Sequence, residues 1–362
     1  MIAIVISALI FIAILVIVVL IHEAGHFAVA KAAGVGVLEF GLGFPPRLWG
    51  IRHGETLYTL NAVPLGGFVK LAGEEDPSEP RSLAGKSQGI RFLVMAAGPF
   101  MNAVLALLLL SVLAMIPQDV AVGEVKVVDI TPGSPAQLAG ILPGDIIAAA
   151  DGHTIDNYAD LRYRVNLKLG AQTSWLIHRG SQSLTVNLVP RFNPPQGQGA
   201  TGVVISIVNN RIESRAEPFW RAPITGLQSM WDVLVLTKNE FSKWATGGSA
   251  PQVTGPLGMA AVVGEVAQAP DISVGERVIA ILNLTAIISL SLGIFNILPI
   301  PALDGGRILF VAIEWVRRGK RIPPEKEGLV HMVGFVLLIA LVLVITFADL
   351  GRIIRGESLL GG

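Results

Sequence analysis

Two histidines four residues apart, His22 and His26, flank a glutamate, Glu23, at the end of an apolar run that begins at Met1. On a helix, positions i and i+4 share a face, so two imidazoles at this spacing can grip one metal ion. Glu23 lies beside them, placed to act on a metal-bound water. A histidine pair without a metal would need polar partners, and Met1 to Ile21 offers almost none. Ionisable groups are costly in hydrocarbon, so such a cluster within an apolar helix marks a functional site. The five residues His-Glu-Ala-Gly-His suggest a zinc hydrolase built into a bilayer.

A catalytic zinc commonly takes a third protein ligand and keeps one position open for water. The best remaining candidate stands in Asn296-Ile-Leu-Pro-Ile-Pro-Ala-Leu-Asp304-Gly-Gly306. Pro299 and Pro301 cannot sustain regular helix, and Gly305 and Gly306 free the backbone after the aspartate. Broken backbone at membrane depth is tolerated where protein buries it or where it lines a wet cavity. From spacing alone, Asp304 reads equally well as a ligand or as a helix-capping acid after a proline turn.

The elements that must position these groups are membrane spans. The chain has 362 residues, 52% hydrophobic and only 15% charged. Soluble domains carry about 25% charged residues. Apolar runs from Met1 to about Ala30, Phe92 to Ile116, Val278 to about Leu298 and Leu329 to Phe347 each approach or exceed the ~20 residues of a helical crossing. Lys31, the first basic residue, follows the first run, so that run reads as a span rather than a removable leader. Basic residues gather between spans one and two (Lys31 to Arg91) and between spans three and four (Arg317 to Lys326). Both loops are expected on the cytoplasmic side, with the long middle region and both termini outside. His22 then follows 21 apolar residues entering from outside, a depth of roughly 30 Å at 1.5 Å per residue, which places the metal toward the cytoplasmic face. Net charge is zero, so nothing suggests nucleic-acid binding, and the absence of cysteine excludes thiolate ligands, cysteine nucleophiles and disulfides.

HEAGH in the first span, with NILPIPALDGG at the end of a later one, resembles the site-2 protease family of intramembrane zinc metalloproteases. Leu65-Gly66-Gly67, Gly98-Pro99-Phe100-Met101-Asn102 and Gly255-Pro256-Leu257-Gly258 stand as family landmarks in the expected order, so the resemblance covers nearly the whole chain. It is strongest to the bacterial regulator-of-sigma-E proteases. The resemblance implies that Asp304 is the third zinc ligand and that Asn102 and Asn296 lie near the site. It further implies single-span membrane proteins, such as anti-sigma factors or remnant signal peptides, as substrates, and a bacterial inner-membrane location.

Between the spans, residues 37–72 are rich in Gly and Pro but carry alternating β-formers such as Thr56 to Val63, which predicts a hairpin or small sheet. In the family an element here dips into the membrane beside the active site. A free strand edge there could hold substrate extended through main-chain bonds, which makes Gly66, Gly67 and Phe68 candidates for substrate contact. Residues 117–192 turn soluble in character. Ser134-Pro-Ala-Gln-Leu-Ala-Gly-Ile-Leu-Pro-Gly-Asp-Ile-Ile147 resembles a PDZ module, an α+β fold that takes peptides or protein C termini as an added strand. Residues 193–276 read as a Pro- and Gly-rich linker followed by an amphipathic helix, Pro218 to Trp244, whose Trp220, Trp231 and Trp244 suit a lipid interface. His331, opening the fourth span, reads as an interfacial residue rather than a fourth ligand; His53, His153 and His178 carry no assigned role.

The expectation is a four-span helical membrane protein with a membrane-associated β-element and an inserted PDZ domain. It would be a zinc endopeptidase that cuts transmembrane segments with Glu23 as base. Asn296 is the stronger candidate for holding substrate backbone or the developing oxyanion. The competing expectation is a membrane-anchored PDZ scaffold without catalysis.

Overall fold

Apolar side chains all around a helix leave it no soluble environment, and the first helix, α1 (Ile2–Ala32), is of this kind. Phe11, Ile14 and Val18 are buried against neighbouring helices, whereas Val5, Leu9 and Ile17 stay exposed. The computed structural model describes residues 2–74, 76–251, 253–270 and 272–356. Among these, the helices long and apolar enough to cross a membrane lie at Val5–Ala32, Gln88–Met115, Val274–Ile297 and Pro324–Ile354, as the apolar runs predict. The chain divides into two compact units, Met1–Leu113 with Val253–Gly362, and Ala114–Gln252.

In the first unit, α1 is followed by two long strands, β1 (Val37–His53) and β2 (Thr56–Leu71), paired antiparallel. Both bend sharply. Gly43 (φ 77°) precedes Pro45-Pro46 in β1, and Pro64 precedes Gly66 (φ 108°) in β2. Proline cannot donate to a ladder, and glycine supplies the positive φ each bend needs. The bends turn two strands into four segments. Residues 37–42 pair with 67–71 on one side and 57–60 on the other, and 57–60 pairs in turn with 49–52. Segment 66–71 therefore forms one edge, and no strand among the described residues pairs its other side. The expected hairpin is present and carries this free edge.

Helix α2 (Gln88–Met115) returns across the unit. The later part of the chain adds helices α6 (Pro256–Gln268), α7 (Val274–Ile297), α8 (Asp304–Val316) and α9 (Pro324–Ile354). Neither α6 nor α8 was expected, because thirteen residues fall below the spanning threshold. Helix α6 packs against α1, α7 and α9. The fully buried Asp349 of α9 fixes its start, taking the N–H groups of Gly255 and Gly258 on Oδ2 at 2.9 Å each and pairing with Arg352 through Oδ1. A helix N-terminus favours a carboxylate, and both positions need glycine, since a Cβ would lie 3.1 or 2.7 Å from the same oxygen. Asp349→Ala leaves two N–H donors without their acceptor and takes the carboxylate from Arg352, which keeps only the Val253 carbonyl, at a cost of about 3–5 kcal/mol. The thermal transition of the purified protein in detergent is expected to fall well below that of the parent; an unchanged transition would contradict this lock.

The second unit is built on one sheet, ordered β7-β6-β4-β3-β8: β3 (Gln118–Ile130), β4 (Ile146–Ala150), β6 (Thr173–Arg179), β7 (Gln182–Leu188) and β8 (Val203–Arg215). The short β5 (His153–Thr154) pairs with β4. Two helices complete its body, α3 (Pro135–Leu138) and α4 (Tyr158–Leu167), each capped by a side chain, from Ser134 and Asn157. Alternate residues of the strands, Val125, Val127, Ile147, Trp175 and Ile177, form the core. Asp145, nearly inaccessible, is gripped by Arg179 at 2.8 Å, and that guanidinium holds its carboxyl below the usual range. A boundary at residue 192 falls inside this sheet. Strand β8 lies beyond the Pro- and Gly-rich stretch, yet pairs with β3 along nearly its whole length. Alternation at Val203, Ile205 and Ile207 was the sign of it, and the partner lies some eighty residues earlier, out of reach of local patterning.

The amphipathic helix is α5 (Ala222–Ala245), also in this unit. Its Asn239 donates to the carbonyls of Asn166 and Leu167, closing the C-terminus of α4, and Asp232 accepts from the Tyr163 hydroxyl. Trp220, Trp231 and Trp244 all point outward.

Candidate metal centre

Helix α1 is unbroken through residue 32, so His22 and His26 do share a face one turn apart. The PIPAL turn after α7 brings α8 back toward them. Asp304 stands at the first position of α8, after Leu303 in the N-cap place, which a side chain such as leucine's cannot fill with a hydrogen bond. The Asp304 Oδ2 lies 3.1 Å from His22 Nε2 and 3.4 Å from His26 Nε2, and the two Nε2 atoms are 3.2 Å apart. Donors 2.0–2.1 Å from a tetrahedral zinc stand about 3.3 Å from one another. The spacing of two nitrogens and one carboxylate oxygen therefore fits one face of such a tetrahedron. Between the two readings of Asp304, the geometry favours the ligand over the cap. Among the described residues this is the group whose atoms converge as a metal site.

The tautomers are consistent with that use. His26 Nδ1 donates to the carbonyl of Val94 at 2.7 Å, which leaves Nε2 a bare acceptor. His22 Nδ1 meets the carboxamide of Asn102 at 3.3 Å. For His22 Nε2 to be free, Nδ1 must carry the proton and Asn102 must turn its oxygen toward it. That orientation also gives the buried Asn102 Oδ1, otherwise without a partner, its hydrogen bond. Asn102 is held by its backbone, whose carbonyl accepts from Ser289 Oγ of α7 at 2.9 Å.

Close approach explains the glycines here. A Cβ on Gly25 of α1 would stand 2.4 Å from the Ala97 carbonyl oxygen of α2, and one on Gly98 would stand 2.3 Å from His26 Nε2. Gly305 and Gly306 are not there for a freed backbone. Both are buried within α8, where a Cβ would stand 2.0 Å from the Leu298 oxygen and 2.5 Å from that of Ile300.

A cavity of about 370 Å³ opens beside His22, His26 and Asp304. Glu23 lines it with Gly67, Phe68 and Val69 of the free strand edge, and with Glu74 and Arg307, which pair at 2.7 Å. Gly67 runs close to the Glu23 stem, its absent Cβ 3.1 Å from Cγ. Of the residues expected at substrate, Gly67 and Phe68 line this cavity. Gly66 makes the bend before them, half-buried Asn296 lies outside its lining, and fully buried Asn102 serves His22. Arg307 and Glu74 were missed, having no motif of their own beyond their nearness to Asp304 and the strand end.

Residues 10–341 match peptidase family M50. A protein of Clostridium perfringens named "Putative zinc metalloprotease CPE1693" is 37% identical over 92% of this chain and 95% of its own length. The zinc metalloprotease RasP of Oceanobacillus iheyensis is 29% identical over 92% and 96% of the two chains, and that of Geobacillus kaustophilus 27% over 92% and 95%. Catalysis rather than scaffolding is the property these relatives are named for. The chain is a multi-pass membrane protein and a zinc metalloprotease, and it belongs to peptidase family M50, the site-2 protease family.

Proposed function

We propose that the protein cuts within the membrane-spanning segments of single-span proteins, with zinc held by His22, His26 and Asp304. The observation that carries this is the free edge at 66–71, which runs past Glu23 into the cavity of the ligand cluster at the end of a membrane helix. A helical peptide bond is shielded by its own hydrogen bonds and must be unwound before attack. Main-chain groups of Gly67 and Phe68 offer an extended segment the bonds it loses on unwinding. Zinc, when bound, supplies a Lewis acid that lowers the pKa of water and polarises the scissile carbonyl. Glu23 takes the proton of the attacking water and returns it to the leaving amine. His26 and His22 are fixed in their tautomers by Val94 and Asn102, so the ligands need no rearrangement as charge develops. Asn296, outside the cavity lining, is the weaker candidate for contact with the oxyanion.

The same reading extends to the rest of the chain. The sheet of the second unit is PDZ-like, and β8, paired on one side by β3, offers an edge to a peptide or a protein C terminus. The exposed tryptophans of α5 suit the lipid interface. Loop charges favour an orientation with this unit and both termini outside and the metal toward the cytoplasm, and the family resemblance implies a bacterial inner membrane. Substrates such as anti-sigma factors or remnant signal peptides, cut in regulated intramembrane proteolysis, fit that arrangement.

The test is the position of the cut. The purified protein, reconstituted in vesicles with a single-span reporter, is expected to yield fragments whose new ends lie inside the apolar span by mass spectrometry. Cuts confined to the flanking soluble segments would overturn the intramembrane reading.

A further inference from the structure

Ala302, two residues before Asp304, sits at φ 78°, in the left-handed region that residues with a β-carbon rarely adopt. Something must hold it there. Its N–H donates to Nδ1 of His331, at 2.9 Å, from the beginning of α9. Since Nδ1 accepts, the proton of the neutral ring is on Nε2. The ring is mostly buried and lies against Phe310 of α8, with centroids 5.4 Å apart. One turn along the same face of α9 stands Gly334. A Cβ there would come within 2.3 Å of Pro301 Cβ and 2.8 Å of the Pro301 oxygen. Helix α9 is otherwise largely exposed, and it meets this turn at His331 against Ala302 and at Gly334 against Pro301. His331 is not among the converging ligand atoms.

We propose that His331 is a positioning residue for the metal centre: by accepting the Ala302 N–H it holds the left-handed turn that aims Asp304 at His22 and His26. It acts through the backbone and touches neither metal nor substrate. The proposal rests on the reading of Asp304 as a ligand. Partners that orient a metal ligand are worth about 10–100-fold in affinity.

The test compares zinc affinity of the purified full chain, measured by competition with a chelator, together with kcat and KM on a single-span reporter. H331A is expected to lose about tenfold or more in zinc affinity, with kcat falling at limiting zinc and KM unchanged. H331N should restore both, because its Oδ1 can occupy the place of Nδ1. A302G should also restore them in the H331A background, since glycine adopts this φ without the β-carbon penalty. A merely space-filling role for the ring would not be relieved by removing a methyl group from the turn. Wild-type zinc affinity in H331A overturns the proposal. So does a folded H331A that neither H331N nor A302G corrects. Should H331A not fold, H331N decides alone, wild-type affinity supporting the proposal and a tenfold loss overturning it. D304A run alongside separates the two readings: unchanged zinc affinity there overturns the ligand assignment and this proposal with it, while a loss in D304A with none in H331A overturns the role of His331 alone.

Discussion

Gly98→Ala is expected to strip the protein of zinc. The added methyl would lie 2.3 Å from His26 Nε2 and 2.7 Å from His22 Nε2, the two atoms that face the ion in the proposed centre. Neither ring can swing away freely. His26 is tied through Nδ1 to Val94 and His22 through Nδ1 to Asn102, and both anchors belong to α2, the helix that carries Gly98. A clash within the same helix pair can be relieved by separating α2 from α1 or by breaking a ring's anchor. The first opposes the close crossing at Gly25, whose absent Cβ would stand 2.4 Å from the Ala97 oxygen. The second leaves a buried histidine unbonded and mis-aimed. Either way the donor triangle opens. Loss of an anchoring partner alone costs 10–100-fold in affinity, so zinc affinity should fall at least ~100-fold, and peptidase activity with it. Metal analysis of the gently purified variant checks this. Full zinc content in a folded Gly98→Ala protein would mean that the crossing is looser than described or that the rings bind from the other side.

The chemistry of this chain was legible because it is written in spacing. His22, Glu23 and His26 are local, and a helix turns their separation directly into a shared face. Asp304 was visible as an acid on a broken turn, but only its distance to two imidazoles, 278 and 282 positions earlier, favours ligand over cap. Asn102 is only half legible. A carboxamide in an apolar span must bond something, and the sequence says so, yet it cannot say whether the partner is substrate or the far side of a histidine. Gly98 and Gly305 are harder still. Their function is to be absent, and what would strike a side chain there belongs to another element entirely. The long spans followed from hydropathy. Helices α6 and α8 did not, since each buries its surface against the spans without crossing, and strand β8 hides because its partner β3 precedes it by most of a domain. The exposed edge at 66–71 was expected as a possibility of the hairpin; the bends at Gly43 and Gly66 that fold four segments out of two strands were visible as residue types but not as a layout.

Glu23→Gln should separate the base from the ligands. Glutamine keeps the size and reach of the side chain, so the packing beside Gly67 is preserved. Glu23 is not one of the three converging ligand atoms, so zinc content should remain that of the parent. What disappears is the capacity to accept a proton from the attacking water and hand it to the amine. General acid–base catalysis by a positioned side chain contributes about 10²–10⁴-fold, and here one residue is asked to perform both transfers, so the loss is expected toward the upper end. Substrate should still enter, because the main-chain edge at Gly67 and Phe68 is untouched; uncut single-span protein should therefore co-purify with the variant. Asp304→Ala makes the complementary case, with zinc and activity lost together, since two imidazoles alone leave the donor set incomplete. The two variants would be equally inactive and distinguishable by metal content. Cleavage of a membrane reporter persisting in a zinc-loaded Glu23→Gln protein would remove Glu23 from the mechanism, and loss of zinc from that variant would make it a ligand rather than a base.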